Sequence, residues 1–245
     1  MWPDRRLLDL LGIEVPIIQA PMAGANGSAM VIAACEAGAL GSLPCAMLDG
    51  ATVRSEIGVI RQRTSKPINV NFFCHTPAKP DPRRAAAWKA ELEGYYAEHG
   101  LDPSAKAPDV DRAPFDEVMC ETVEDLRPEV VSFHFGLPAR PLLDRVKDAG
   151  SVVLSSATTA EEARWLEANG CDAVVAQGYE AGGHRGMFLG DDITTQAGTM
   201  ALVPQVVDAV GVPVIAAGGI ADGRGIAAAF ALGAAGVQIG TAYMF

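Results

Sequence analysis

The chain is poor in positive charge, in aromatic residues and in cysteine, and each shortage excludes something. Its 245 residues carry 19 Lys and Arg against 30 Asp and Glu, a net charge of −11. An acidic chain without a basic run is a poor ligand for nucleic acid or for anionic membranes. No apolar stretch reaches the roughly 18 residues that a membrane span needs. Met1 to Leu11 alternates charge with leucine and lacks the apolar centre of a signal peptide. The five cysteines, Cys35, Cys45, Cys74, Cys120 and Cys171, are scattered and form no C-x-x-C pair. That pattern argues against a zinc site or a redox dithiol, and no metal is expected. An odd count of such thiols predicts reduced side chains and a cytoplasmic protein.

What the chain does have is apolar: 49% of its residues are hydrophobic and only 20% are charged. Short apolar runs alternate with alanine-rich stretches. Strands are predicted at Ile17–Ala20, Ala39–Leu43, Ile68–Phe72, Val130–Phe135, Ser151–Leu154, Ala173–Ala176, Val214–Ala217 and Val237–Ile239. Most are continuously apolar, as parallel strands covered on both faces are. Helices are predicted at Ser28–Ala37, Asp49–Arg63, Phe115–Glu124, Ala139–Ala149, Thr159–Ala168, Thr199–Val210 and Asp222–Leu232. Ser28, Asp49, Thr159 and Asp222 are good caps, and Gly38, Gly150 and Gly170 are good helix stops. Eight strands alternating with helices, in a chain close to the typical 250 or so residues, predict a (β/α)8 TIM barrel. An open doubly wound sheet fits less well, because the first turn, "QAPMAGANG", contains no G-x-G-x-x-G. The near match "GRGIAA" lies inside a predicted helix rather than after a strand.

Two features depart from a plain barrel. A Pro-rich, charged insertion at about 75–113 follows the third strand, with a helix predicted from Pro82 to His99, and is expected near the active face. After the eighth strand only a few residues remain, to Phe245. The expectation is a barrel without its last helix and C-terminal cap, belonging to a longer chain or leaning on a partner.

In such barrels the strand C-termini and their loops form the active face, and the loops after strands seven and eight recurrently bind phosphate. "VIAAGGIADG" places Gly218 and Gly219 after strand seven, and "GVQIGTAYMF" places Gly240 and Thr241 after strand eight. Glycines let backbone N–H groups turn to an anion, though a single Gly-Gly also suits a tight βα turn. Occurrence at both expected positions favours phosphate. After strand six comes "AQGYEAGGHRG": Gln177, whose amide can donate to and accept from a heterocycle, then Gly182, Gly183 and His184. Imidazole is suited to moving protons at neutral pH, although most lone histidines do no chemistry. Asn69 in "INVNFFCH" and His134 in "VVSFHFG" fall on the same face, each with a core role as a serious competitor. Period-two alternation puts Phe133 and Phe135 on one side of strand four, and Ser132 and His134 on the other. Met22 suits either an aromatic ligand ring or the core. His75 and His99 receive no role.

These residues resemble the nitronate monooxygenases, formerly called 2-nitropropane dioxygenases, and class I most closely. The carrying blocks are "QGYEAGGHRG", "PIIQAPMAG", "KPINVNFFCH", "TTQAGTMALVPQVVDAVGVPVIAAGGIADGRG" and "ALGAAGVQIGTAY". The resemblance spans nearly the whole chain, including the insertion with Trp88, Tyr95 and Tyr96. It implies FMN as cofactor, with Met22, Asn69, Gln177, Gly182 and Gly219 as flavin contacts. It implies Gln238, Ile239, Gly240 and Thr241 as the last phosphate-binding stretch, His184 as the catalytic histidine, and His134 as a second active-site histidine facing substrate. The implied reaction is oxidative denitrification of alkyl nitronates, such as propionate 3-nitronate, with O2, giving a carbonyl compound and nitrite as a detoxification. The nearest alternative is an NAD(P)H-dependent flavin reductase of quinones or enoyl thioesters on the same barrel. A further one is a non-catalytic FMN-binding module. The resemblance also implies a C-terminal cap over the substrate, and the expectation is that the 245 residues stop short of it.

Overall fold

A computed structural model describes residues 2–77, 79, 81–105 and 113–245. Eight parallel strands run in the order β1-β8-β7-β6-β5-β4-β3-β2. They are β1 (Ile17–Gln19), β2 (Gly41–Pro44), β3 (Ile68–Phe73), β4 (Val130–His134), β5 (Val152–Ala157), β6 (Ala173–Gln177), β7 (Val214–Ala217) and β8 (Gly236–Ile239). A parallel bridge between Ile18 and Leu40 joins the two outer strands. Its bonds, Gln19 N–H to Leu40 O at 2.9 Å and Leu40 N–H to Ile17 O at 3.0 Å, close the sheet into a barrel. The predicted TIM barrel is the observed fold.

Seven helices follow the sequence pattern: α2 (Ser28–Glu36), α3 (Gly50–Arg61), α6 (Glu117–Leu126), α7 (Arg140–Asp148), α8 (Ala160–Ala168), α9 (Thr199–Val207) and α10 (Gly223–Ala231). Asp49, Thr159 and Asp222 cap as expected, accepting from Thr52, Glu162 and Arg224 N–H at 2.8, 3.1 and 3.0 Å. Ser28 does not. Gly27 is the N-cap of α2, and the Ser28 N–H instead meets Glu56 Oε2 from α3 at 3.3 Å. A carboxylate from the neighbouring helix thus replaces the local cap.

The sequence reading assigns no helix before β1, but α1 (Arg6–Leu11) lies there. Its buried Leu7, Leu8 and Leu11 join Ile18, Leu40, Val130, Leu154, Ala173 and Ile215 in one core cluster. A Cβ on Gly236, the first residue of β8, would lie 2.4 Å from Leu7 Cδ2. The short leucine-rich helix therefore fills the N-terminal end of the barrel, opposite the candidate site. Two further clusters pack the strands' outer faces against the helices.

Period-two alternation fails at the end of β4. Phe133 obeys it, packing outward on Phe115 with ring centroids 5.2 Å apart. Phe135 takes φ +68°, followed by Gly136 at +87°, and the turn swings its ring to the inner side beside Phe73, His134 and His184. Phe133 and Phe135 are thus on opposite sides, contrary to the sequence expectation.

Thr76–Arg112 form a second compact unit. The single helix expected from Pro82 to His99 is broken at Leu92 into α4 (Pro82–Glu91) and α5 (Glu93–Glu98). Asp81 caps α4 through the Arg83 and Arg84 N–H groups, both at 3.0 Å.

Candidate active site

The inner face of β3 carries Asn69, Asn71 and Phe73 in turn, because alternate strand residues share a face. Asn69 is fully buried; its Nδ2 donates to Ser42 Oγ and Ser132 Oγ, each at 2.9 Å, and its Oδ1 is buried without a partner. Asn71 lies one pair nearer the C-terminal end and donates to Ser132 Oγ at 2.9 Å. Sequence reasoning passed over Asn71. The signal was available, since "INVNFF" puts two asparagines on one face.

Glycine turns from the three loops after β6, β7 and β8 converge beyond the strands with Met22 from the loop after β1. A Cβ on Gly182 would stand 3.3 Å from Thr241 Oγ1. One on Gly219 would stand 3.3 Å from Glu180 Cβ, and one on Gly240 would stand 3.5 Å from Met22 Sδ. Gly182, Gly219, Gly240, Thr241 and Met22 are thereby brought together, with Gly183 and Gly218 adjoining them in sequence. Asn26, which sequence reasoning also passed over, fixes Met22: its Oδ1 accepts the Met22 N–H at 2.7 Å and its Nδ2 donates to Ser42 O at 3.0 Å. Gln238 lies beside Ala217 in the β7–β8 register, on the inner face. Ile239 turns its side chain into the helix-facing core, so only its backbone is available to a ligand.

The start of α9 is taken by the chain itself. Glu180 Oε2 accepts from Thr199 N–H at 2.7 Å and Thr199 Oγ at 2.8 Å, and the Thr199 hydroxyl also lies 2.9 Å from Gly218 O. Burial works against the Glu180 carboxylate, yet the Thr199 amide and hydroxyl hold its pKa below the usual value.

The loop after β6 is pinned through the main chain of His184. His134 Nε2 lies 3.0 Å from the His184 carbonyl, and Gln177 Nε2 donates to that same oxygen at 2.8 Å. A carbonyl only accepts, so His134 carries its proton on Nε2 and its Nδ1 accepts from Ser156 Oγ at 3.0 Å. Gln177 Oε1 accepts the Gly186 N–H at 2.8 Å. Arg185 donates to Gly178 O and Tyr179 O, both at 2.7 Å, and bridges the loop internally. Glu162, buried on α8, accepts from the Phe188 and Leu189 N–H groups at 2.8 and 3.3 Å. While the His184 carbonyl is held twice, its side chain is exposed and stands edge-on to Phe73, centroids 5.2 Å apart at 70°. Both ring nitrogens of His134 are engaged within the chain, so what it offers a substrate is ring edge rather than a free nitrogen.

Burial, the largest influence, with the nearby His184 and Arg185 charges, pulls the His134 pKa down to about 4, against the His184 carbonyl, which pulls it up. The folded protein then binds this proton less readily than the unfolded chain, whose histidine titrates near 6.5. Stability contributed by neutral His134 is full above about 6.5 and is lost as pH falls towards 4, by up to about 3 kcal/mol. Denaturant melts between pH 7 and 4.5 should show that slope, and His134→Gln should flatten it. Carboxylates held low, such as Glu180, act at lower pH and remain in the variant.

A sequence profile of the nitronate monooxygenases matches residues 4–245. A nitronate monooxygenase from Paraburkholderia phytofirmans is 46% identical over 98% of this chain and 66% of its own length. One from Pseudomonas aeruginosa is 45% identical over 98% of this chain and 68% of its own. The chain therefore spans about two thirds of the length of these relatives. Among solved structures, nitroalkane oxidase from Streptomyces ansochromogenes superposes with a TM-score of 0.86 at 39% identity, covering 98% of this chain and 68% of that one. FabK from Thermotoga maritima superposes with a TM-score of 0.75 at 33% identity, covering 99% of this chain and 63% of that one. On the match of the family profile to nearly every residue and on these identities, the chain belongs to the nitronate monooxygenase family.

Proposed function

We propose that this barrel holds FMN and carries the oxidative denitrification of alkyl nitronates, with O2 as oxidant and a carbonyl compound and nitrite as products. One observation carries the reading. The His184 carbonyl is clamped by Gln177 and His134 while its imidazole stays free at the strand C-termini, beside aromatic edges and the glycine turns.

The residues present fit a flavin nucleotide. Gly182, Gly219 and Gly240 come from three different loops and carry no side chain, so a phosphate can approach the backbone of Gly182, Gly183, Gly218, Gly219, Gly240 and Thr241 without a Cβ from these glycines in the way. Asn69 Oδ1 is a buried acceptor for which the described residues supply no donor. Gln177 keeps a second N–H and a second lone pair after its loop bonds. With Met22 and Gln238, these groups are assigned to the ring. When bound, FMN supplies the electron-accepting chemistry.

The chain's own work is to orient and to move protons. His184 stabilises an anionic nitronate by hydrogen bonding, or takes the α-proton of a neutral nitroalkane. His134, Gln177 and Glu162 fix the loop that presents it. Phe73 supplies an apolar edge that limits water around the reacting carbon. Propionate 3-nitronate added under air to the FMN-loaded protein should give oxygen uptake and nitrite together. Neither signal, from protein that has retained its flavin, would overturn the reading.

A further inference from the structure

Among the described residues two that are not glycine take a positive φ, Arg127 and Phe135. Arg127 is the left-handed cap that ends α6. Phe135 closes no helix. Its φ of +68° is a conformation that bulky side chains rarely adopt and that the surroundings must enforce. They do so from both sides. Cys74 N–H holds the His134 carbonyl at 2.8 Å, and Ser155 Oγ holds the Gly136 carbonyl at 2.8 Å. Gly136 itself lies under the Phe188 ring, where a Cβ would come within 3.1 Å.

What the strain achieves is the position of one ring. Without it, strand alternation would send Phe135 outward with Phe133 into the helix-facing core. With it, the ring sits 4.5 Å from the His134 ring, 5.3 Å from Phe73 at 83° and 6.1 Å from His184 at 80°. It is half-buried, so part of its surface remains available to a ligand. We propose that Phe135 is a specificity-determining wall of the His184 site: with Phe73 it meets the alkyl part of the substrate and sets the chain length accepted. The inference rests on the nitronate reading above. Strain on a bulky residue is kept where function needs the group in place.

The test uses the FMN-loaded protein with ethyl and hexyl nitronate, followed by oxygen uptake, and thermal melts of the same protein with and without flavin. A methylene in an apolar pocket is worth about 10–200-fold in discrimination. Phe135→Ala and Phe135→Gly should raise the hexyl-to-ethyl ratio of kcat/KM by about tenfold or more. Phe135→Trp, which keeps the wall and thickens it, should lower that ratio. Phe135→Gly should melt roughly 2–6 °C above Phe135→Ala, since both lose the ring but only glycine is at ease at this φ. Equal melting temperatures would remove the strain argument. An unchanged chain-length ratio in all three variants of an active protein would overturn the wall. Wild-type protein inert towards both nitronates would overturn the reaction reading instead, whatever the melts show.

Discussion

His184→Asn should keep its flavin, keep its fold and lose turnover of neutral nitroalkanes by about 10²–10⁴-fold, the range that a positioned proton acceptor supplies. The main chain explains the first two outcomes. Gln177 and His134 bind the carbonyl of residue 184, not its side chain, and an asparagine presents the same carbonyl. The loop bonds of Arg185 and Gly186 lie outside the substitution as well. The imidazole is exposed and meets Phe73 and Phe135 only through ring edges, so its removal should change stability by about 0.5 kcal/mol or less. The third outcome depends on substrate. A neutral nitroalkane must surrender its α-proton, which an asparagine cannot accept. A preformed nitronate has already lost it and needs only orientation, which the amide partly provides. Oxygen uptake with both forms of one substrate separates the roles. Equal loss on both would make His184 an orienting group alone. Undiminished turnover of the neutral form would exclude it as the base.

The barrel was legible because its signals are local. Apolar runs, caps at Asp49, Thr159 and Asp222, and the glycine stops gave every strand and seven helices close to their observed positions. The placement of the glycine turns and His184 beyond the strand C-termini was legible for a related reason: a βα loop follows its strand in sequence, so position in the chain gives position at that end of the barrel. What was missed required contacts across the fold. α1 reads in the sequence only as an alternation of charge with leucine, because three buried leucines become a helix face only when a barrel end stands ready to receive them. Glu162 reads as a surface residue of α8, yet it is buried as an acceptor for a loop 26 residues away. His134 was placed on the correct face, but its tautomer follows from Ser156 and the His184 carbonyl, neither adjacent in sequence. Phe135 was misplaced because alternation assumes extended backbone, and a left-handed residue breaks that rule without any signature in its side chain.

Gly178→Ala should lower the stability of the barrel by about 3–5 kcal/mol and release the flavin, although Gly178 lies at the root of the loop rather than at its tip. A Cβ there would stand 2.0 Å from Thr199 Oγ1 and 2.5 Å from both Thr199 Cα and N. A rotamer change could clear the hydroxyl, but the two backbone atoms have nowhere to turn. Gly178 cannot retreat either: its N–H bonds Ala217 O at 2.8 Å, and the next N–H, of Tyr179, bonds Ala197 O at 2.9 Å. Relief therefore means moving the first turn of α9 and breaking the Glu180 carboxylate from Thr199, together with the Thr199 bond to Gly218. The overpacking costs about 1–3 kcal/mol and a lost bond to a charged acceptor about 1.5–3. For a chain of this size that is a fall in Tm of roughly 10 °C. Because the same break frees Gly218 and Gly219, the proposed phosphate cradle loses its shape along with the stability. Gly190→Ala is the matched control, since a Cβ there would meet nothing within 4 Å and its φ is not in the left-handed region. Thr199→Ala should not rescue Gly178→Ala, because the close approach to Cα and N survives it. Rescue by Thr199→Ala would place the clash on the hydroxyl alone, and the start of α9 would then be free to keep its place against β6.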